Sequence, residues 1–136
     1  MKKNRKTALI EMGKDGSFSV YTPDIEATII GEGDTVAEAK SDFENSVAEL
    51  LKFYQEDGET LPEELQNVSF EYKYDLPSFL HHFNFLNITK FAKLAGINPS
   101  LMRQYKQGQY VSEKQVSKIQ TEIHRIGQEL LSIELL

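Results

Sequence analysis

The sequence contains no cysteine and no tryptophan, and its apolar residues never form a long run. The absence of cysteine excludes disulfides, thiolate metal ligands and a cysteine nucleophile. Because the apolar runs extend over only a few residues, no segment is expected to span a membrane. The basic start MKKNRK is followed by alternating residues instead of an apolar core, which argues against a secretory signal. We therefore expect a cytoplasmic protein.

Charge is distributed unevenly along the 136 residues. Residues 1–76 contain 8 Lys/Arg and 17 Asp/Glu, a net charge of −9. Residues 77–136 contain 7 Lys/Arg and 4 Asp/Glu, a net charge of +3. An asymmetry of this kind predicts two modules with different partners, one in residues 1–76 and one in residues 77–136.

The first module has the strand pattern of a small sheet. Short β-type runs occupy Thr7–Met12, Ser17–Tyr21 and Glu26–Ile30, and the segments GKDG and PD between them are typical of turns. Later, Val68–Tyr74 alternates apolar and polar residues, as a half-buried strand does. Three strands joined by short turns predict an antiparallel meander.

A helix is predicted between the third and fourth strands. Its apolar residues recur every three or four positions, at Val36, Ala39, Phe43, Val47, Leu50 and Tyr54. Thr35 and Glu38 have the spacing of a capping box, which marks the start of the helix. The order β-β-β-α-β predicts an α+β fold, with an antiparallel sheet covered by a helix on one face.

The motifs of this module resemble the HicB family of antitoxins. The segment from Ser17 to Leu51 contains PD after a strand and then GDTVAEA, with Gly33, Asp34, Thr35, Glu38 and Ala39 in the family's positions. The resemblance implies a partial ribonuclease-H-like module. It also implies that the module binds and inhibits a small basic HicA-like toxin, which cleaves RNA.

Catalysis and metal binding are not expected of this chain. A ribonuclease-H-type site holds two metal ions about 3.5–4 Å apart in a cluster of carboxylates, and the first strand offers only Glu11. The adjacent His81 and His82 do not share a helix face, and His124 is distant in sequence. No cofactor is therefore expected.

The second module contains two short predicted helices around a glycine. A short apolar helix is also predicted before them, at Leu76–Phe85. Asn87 is a good cap for a helix that reaches Ala95, and Gly96 marks a sharp turn. Six residues are expected where the two helices cross: Phe91, Ala92, Ala95, Ile97, Met102 and Tyr105. The pattern resembles the helix-turn-helix of the Xre/Cro/lambda-repressor type, whereas the competing interpretation is an ordinary pair of core helices.

The second of these helices is the predicted reader of DNA. The candidate DNA-binding residues are Asn98, Ser100, Arg103, Gln104, Lys106 and Gln107. Arginine can form a bidentate contact with guanine, glutamine and asparagine with adenine, and serine and lysine can contact phosphates. In the resembled family a glutamine often opens the first helix and braces the DNA contact, but Ile88 stands at that position here.

The last segment predicts a long amphipathic helix that begins after the cap residue Ser112. Its apolar residues follow a heptad-like spacing at Val116, Ile119, Ile123, Ile126, Leu130 and Ile133. Part of this stripe should close the helix-turn-helix core, and the remainder predicts a homodimer or a higher homo-oligomer. The alternative is packing against the segment around Phe79 and Phe83.

The resemblances together imply an antitoxin of a type II HicA/HicB-like system. The acidic module would bind the toxin, and the second module would bind double-stranded operator DNA and repress its own operon. A second hypothesis is a stand-alone transcriptional regulator whose first module senses a ligand or another protein. A metal-dependent nuclease is the third.

Overall fold

The computed structural model describes residues 4–136 and has an α+β fold. The chain divides into two compact units, the first ending at Ser78 and the second beginning at Phe79. This division lies inside a short helix, Leu76–His82, two residues after the predicted boundary between Leu76 and Pro77.

The first unit contains a four-stranded sheet. Its strands are β1 (Asn4–Met12), β2 (Phe18–Tyr21), β3 (Ile30–Gly33) and β4 (Val68–Tyr74). Their order across the sheet is β3-β2-β1-β4, so the last strand lies beside the first. The antiparallel pairing of β1 with β2 and of β2 with β3 is confirmed. β4 is parallel to β1, so the sheet is mixed and the prediction of a purely antiparallel sheet is wrong.

The parallel pairing follows from the helix that connects β3 to β4. This helix, α1, extends over Val36–Asp57 and packs on one face of the sheet. A strand that follows such a crossover returns in the direction of the strand before it. Because β3 and β1 both run antiparallel to β2, β4 enters the sheet parallel to β1.

The third strand begins at Ile30, and its predicted position at Glu26–Ile30 is wrong. The Thr22 hydroxyl accepts a hydrogen bond from the Ile29 amide and donates one to the Ala27 carbonyl, both at 3.0 Å. The Glu64 carboxylate accepts bonds from the Glu26 and Ala27 amides. These backbone groups therefore bond to side chains, and the segment forms a loop instead of a strand.

The core of the first unit lies between α1 and the sheet. Its buried residues are Ala8, Ile10, Phe18, Val20, Ile25, Ile29, Ala39, Phe43 and Leu65. Phe43 meets Phe70 of β4 edge to face, with 5.1 Å between the ring centroids. Leu65 belongs to a 3₁₀ turn, Glu63–Leu65, so the connection between α1 and β4 contributes one core side chain.

The predicted start of α1 is confirmed, with one difference in the cap. The Thr35 hydroxyl accepts a bond from the Glu38 amide at 3.1 Å. The Glu38 carboxylate accepts from the Asp34 amide instead of the Thr35 amide. α1 also closes the edge of the sheet, because Asp42 accepts a bond from the Glu32 amide of β3 at 2.8 Å. An edge amide bonded in this way is not free to pair with another strand.

The second unit is helical. After the short helix α2 (Leu76–His82) come α3 (Ile88–Ala95), α4 (Pro99–Lys106) and α5 (Glu113–Leu131). α2 ends before the predicted limit at Phe85, and α5 ends before Ile133. In the part of the chain that the structure describes, every helix is too short or too polar to cross a membrane.

Candidate nucleic-acid interface

The turn between α3 and α4 is fixed by its end residues. Gly96 has φ 75, a left-handed conformation that glycine adopts without steric cost. The Ile97 amide donates to the Ala92 carbonyl at 2.9 Å and the Gly96 amide to the Lys93 carbonyl at 3.1 Å, which is the pattern of a helix ended by glycine. The Asn98 side chain then caps α4 by accepting from the Ser100 amide at 2.8 Å.

The predicted contact between α3 and α4 is confirmed. All six residues expected at the crossing are buried: Phe91, Ala92, Ala95, Ile97, Met102 and Tyr105. Ala92 and Met102 have no exposed surface, and α3 packs against α4. Ile119 of α5 is also buried, and α5 packs against α3. One face of α4 is therefore committed to the core of the second unit.

The opposite face of α4 is polar and exposed. Ser100, Arg103, Gln104 and Gln107 are exposed, whereas Lys106 is half-buried. Three of these residues, Arg103, Gln104 and Gln107, line one shallow depression together with Gln109. The structure thus brings three of the six candidate DNA-binding residues together on one surface. Asn98 is exposed, but its side-chain oxygen already serves the cap of α4.

Gln109 was not predicted from the sequence. It follows Gly108, which has φ 102 and reverses the chain after α4. The Gln109 amide donates to the Gln104 carbonyl at 3.1 Å, so this reversal holds Gln109 beside the last turn of α4. Gly108 was the one feature of the sequence that could have indicated this position of Gln109, because a glycine after a helix marks a turn of the chain.

Arg103 is joined to the first helix of the pair. Its Nη2 donates a hydrogen bond to Oγ1 of Thr89, with 2.7 Å between the two atoms. Thr89 lies at the start of α3 and is half-buried, whereas Arg103 is exposed. No pattern in the sequence indicates that these two residues, 14 positions apart and in different helices, would form a hydrogen bond.

The segment that carries this surface contains lysine and arginine but no acidic residue. Residues 77–112 contain no Asp or Glu and four basic residues, Lys90, Lys93, Arg103 and Lys106. The last turns of α3 and α4 hold Lys93, Arg103 and Lys106. Positive charge without neighbouring carboxylates in the same segment favours phosphate groups, even though the whole chain carries a net charge of −6.

The first unit presents a different kind of surface on the sheet face away from α1, which we call the open face. One row across the strands consists of Ile30, Tyr21, Leu9 and Lys73, which are register partners. The adjacent row contains Glu32, Ser19 and Glu11. Ile30 is 47% exposed. The open face therefore combines apolar side chains with carboxylates.

One hydrogen bond organises this face. The Tyr21 hydroxyl donates to Oε1 of Glu11 at 2.9 Å. The pKa of Tyr21 is raised above its ordinary value, mainly because the phenol is partly buried. The hydrogen bond to Glu11 and the negative charges of Glu11 and Asp75 raise it further. The phenol stays protonated at neutral pH and keeps the Glu11 carboxylate in a fixed orientation.

Carboxylates do not gather into a metal centre in the described chain. Among residues 4–136, no three His, Asp or Glu side chains are grouped so that they could hold a metal ion. Glu11, the candidate on the first strand, instead accepts the bond from Tyr21.

Part of the apolar stripe predicted for α5 is exposed. In the predicted apolar stripe, Ile119 is buried, but Val116, Leu130 and Ile133 are between 41% and 55% exposed. Glu122, which was not predicted to be internal, is buried and accepts a bond from Nε of Arg125 at 2.7 Å. Ile119 therefore belongs to the core of the second unit, whereas Val116 near the start of α5 and the two apolar residues near its end face outward.

Comparisons of the chain with protein-family models, with curated proteins and with solved structures gave no match. The function proposed for this protein therefore rests on its own motifs and on the geometry of its two units.

Proposed function

We propose that this protein is a DNA-binding antitoxin of the HicB type, whose second unit binds operator DNA and whose first unit binds a small basic toxin. The observation that carries the DNA-binding part is the division of α4. One face packs in the core through Met102 and Tyr105, and the other presents Arg103, Gln104 and Gln107.

The exposed side chains of α4 suit the major groove of DNA. The groove admits an α-helix and displays a different pattern of donors and acceptors for each base pair. Arg103 can donate to guanine, and Gln104 and Gln107 can each exchange two hydrogen bonds with adenine. Lys106 and the two lysines of α3 lie within the acid-free segment, where they can contact phosphates.

DNA recognition of this type favours two copies of the chain. A single helix-turn-helix reads few base pairs, and such units bind as two-fold dimers on half-sites about one helical turn apart. Two exposed apolar residues, Leu130 in the last turn of α5 and Ile133 just after the helix, offer a surface for a second copy. A homodimer or higher homo-oligomer is therefore part of the proposal.

The acidic first unit supports the toxin-binding part. Its net charge of −9 over residues 1–76 would attract a basic partner and accelerate their encounter. The open face supplies apolar contact area beside Glu11 and Glu32. A HicA-like toxin, which is small and basic, has the complementary chemistry. Binding of both partners by one chain would let it repress its operon while it neutralises the toxin.

DNA binding is tested with the purified full-length protein and the duplex DNA upstream of its own coding sequence. We expect a specific complex in a mobility-shift assay, with an affinity that falls steeply as salt increases. Equal affinity for that fragment and for unrelated duplex DNA would contradict an operator-binding role.

Toxin binding is tested by co-expression with a small basic protein encoded beside this chain. We expect a stable complex and restored growth of the host cells. Glu32→Lys on the open face should weaken the complex, whereas Glu59→Lys makes the same change of charge in an exposed loop and should not. Equal effects of the two variants would show that only total charge matters. A stand-alone regulator would form no such complex.

A further inference from the structure

We propose that Thr89 fixes the guanidinium of Arg103, so that α4 selects a guanine at one position of its DNA site. Thr89 is a positioning residue in this proposal, and Arg103 is the residue that contacts the base. The inference rests on the proposed DNA-binding function and names the base preference of that same surface.

The hydrogen bond between the two residues joins a rigid partner to a flexible one. Thr89 is half-buried near the start of α3, and its branched side chain has few rotamers. Arg103 is exposed, and its Nη2 lies 2.7 Å from the Thr89 hydroxyl oxygen. The bond therefore holds the guanidinium of Arg103 at a fixed position relative to α3.

Fixing the guanidinium matters because an exposed arginine has several competing partners. A free arginine side chain carries about 2 kcal/mol of rotamer entropy, and phosphate and sugar groups compete with base edges for its hydrogen bonds. Once its direction is set by Thr89, less freedom is lost on binding, and fewer alternative contacts remain within reach. Discrimination between bases should therefore increase more than total affinity does.

The donor inventory of Arg103 agrees with this role. A guanidinium has five N–H donors, and Thr89 takes one of the two at Nη2. A complete two-donor edge of the group stays free for a base. That edge matches the two acceptors O6 and N7 of guanine, whereas adenine presents one acceptor and one donor in the major groove.

The neighbours of Arg103 extend the preference. Gln104 and Gln107 line the same depression as Arg103, and a glutamine side chain matches the acceptor and donor of adenine. The expected half-site therefore has one guanine next to A·T pairs.

The test uses the full-length protein and duplex DNA. Wild-type protein selects its sites from random-sequence duplexes, and interference by methylation at guanine N7 identifies the contacted guanine. Four duplexes that differ only at that base pair are then titrated with the wild type, Thr89→Val and Thr89→Ser. Valine keeps the shape of threonine without the hydroxyl, and serine keeps the hydroxyl. Thermal melting confirms that each variant is folded.

Wild-type protein should prefer the guanine duplex by roughly 5- to 150-fold, which corresponds to about 1–3 kcal/mol. Thr89→Val should reduce this preference at least several-fold, Thr89→Ser should retain most of it, and the salt dependence of all three should agree. An unchanged preference in Thr89→Val would overturn the proposal.

Two other outcomes also contradict it, in distinguishable ways. If Thr89→Val weakens all four duplexes equally and reduces the salt dependence, Thr89 acts on a phosphate instead of on Arg103. If the wild type selects no duplex DNA at all, the proposed DNA-binding function fails, and the role of Thr89 fails with it.

Discussion

Gly31→Ala is a direct test of how α1 packs on the sheet. Gly31 lies in β3, and a Cβ added there would be 2.1 Å from the Phe43 amide nitrogen, 2.5 Å from the Phe43 Cα and 2.7 Å from the Ala39 carbonyl oxygen. All three are backbone atoms of α1, so no side-chain rotation can relieve the overlap.

The size of the effect follows from these distances. Ordinary contacts between non-bonded heavy atoms are about 3.5–4.0 Å, so α1 must move away from β3 by more than about 1 Å. Phe43 is only 1% exposed, and such a movement would open the core around it. Overpacking a core costs about 1–3 kcal/mol, and an overlap with backbone should reach at least the upper end of that range.

Chemical denaturation, monitored by amide hydrogen exchange, measures the change in stability separately in each unit. Gly31→Ala should lower the free energy of unfolding of the first unit by about 3 kcal/mol or more. Amides of α3 and α4 should keep their protection. Gly127→Ala is the matched control, because a Cβ there meets nothing within 4 Å and the residue lies inside α5. Removing that helical glycine should stabilise the second unit by about 0.5–1 kcal/mol.

A Gly31→Ala protein as stable as the wild type would refute the close approach of α1 to β3. Equal destabilisation of both units would instead contradict the division of the chain at Ser78 and Phe79.

Three further predictions concern other parts of the chain. Lys106→Ala should weaken binding to all duplexes alike and reduce the slope of log affinity against log salt by about 1, as titrations at several salt concentrations would measure; a change confined to one sequence would contradict a phosphate contact. Leu130→Asp should give folded monomers in light scattering and lose tight operator binding, because a buried unpaired charge is costly in a dimer contact; a variant that stays dimeric would show that the contact lies elsewhere. Burial, the hydrogen bond to Glu44 and the charge of Glu44 raise the pKa of Tyr72 to about 12, above the ordinary value of 10.0. The protonated phenol thus contributes stability that is fully present below pH 10 and is lost as the pH rises through about 12; Tyr72→Phe should remove the last step of an ultraviolet tyrosine titration, and an unchanged titration would contradict this assignment.

Local signals in the sequence predicted the helices well. Thr35, Asn87 and Ser112 each cap the helix that they were expected to begin, and Gly96 ends α3 as predicted. These features depend on residues at most a few positions apart, so their chemistry can be recognised without knowledge of the fold. The apolar spacing likewise identified the buried residues of α3 and α4, because helical periodicity fixes which side chains share a face.

Two of the wrong predictions, the position of β3 and the direction of β4, involve residues that are distant in sequence. The segment before Ile30 had strand-like residues, but Glu64 binds its amides from a turn far along the chain. The direction of β4 depended on which strand it would pair with, and its own residues do not encode that choice. The bond between Thr89 and Arg103 is of the same kind, because only the crossing of α3 and α4 brings the two side chains together.

The predicted end of α5 was wrong for a different reason. The apolar spacing continued to Ile133, but the helix ends at Leu131, where the Ser132 hydroxyl donates to the Glu129 carbonyl. Glu122 was not among the predicted interior residues, yet it is buried and accepts a hydrogen bond from Arg125. Periodicity describes which residues share a face and does not by itself show where the helix stops or which charge is paired.

The central claim is that the exposed face of α4 reads operator DNA. The most direct measurement compares wild-type and Arg103→Ala protein in equilibrium titrations with the upstream duplex and with the same duplex carrying scrambled sequence. We predict that wild type prefers the upstream duplex, and that Arg103→Ala loses about 1–3 kcal/mol of binding to it together with most of that preference. An Arg103→Ala protein with unchanged affinity and unchanged preference would contradict the claim, and α3 and α4 would then be an ordinary pair of core helices.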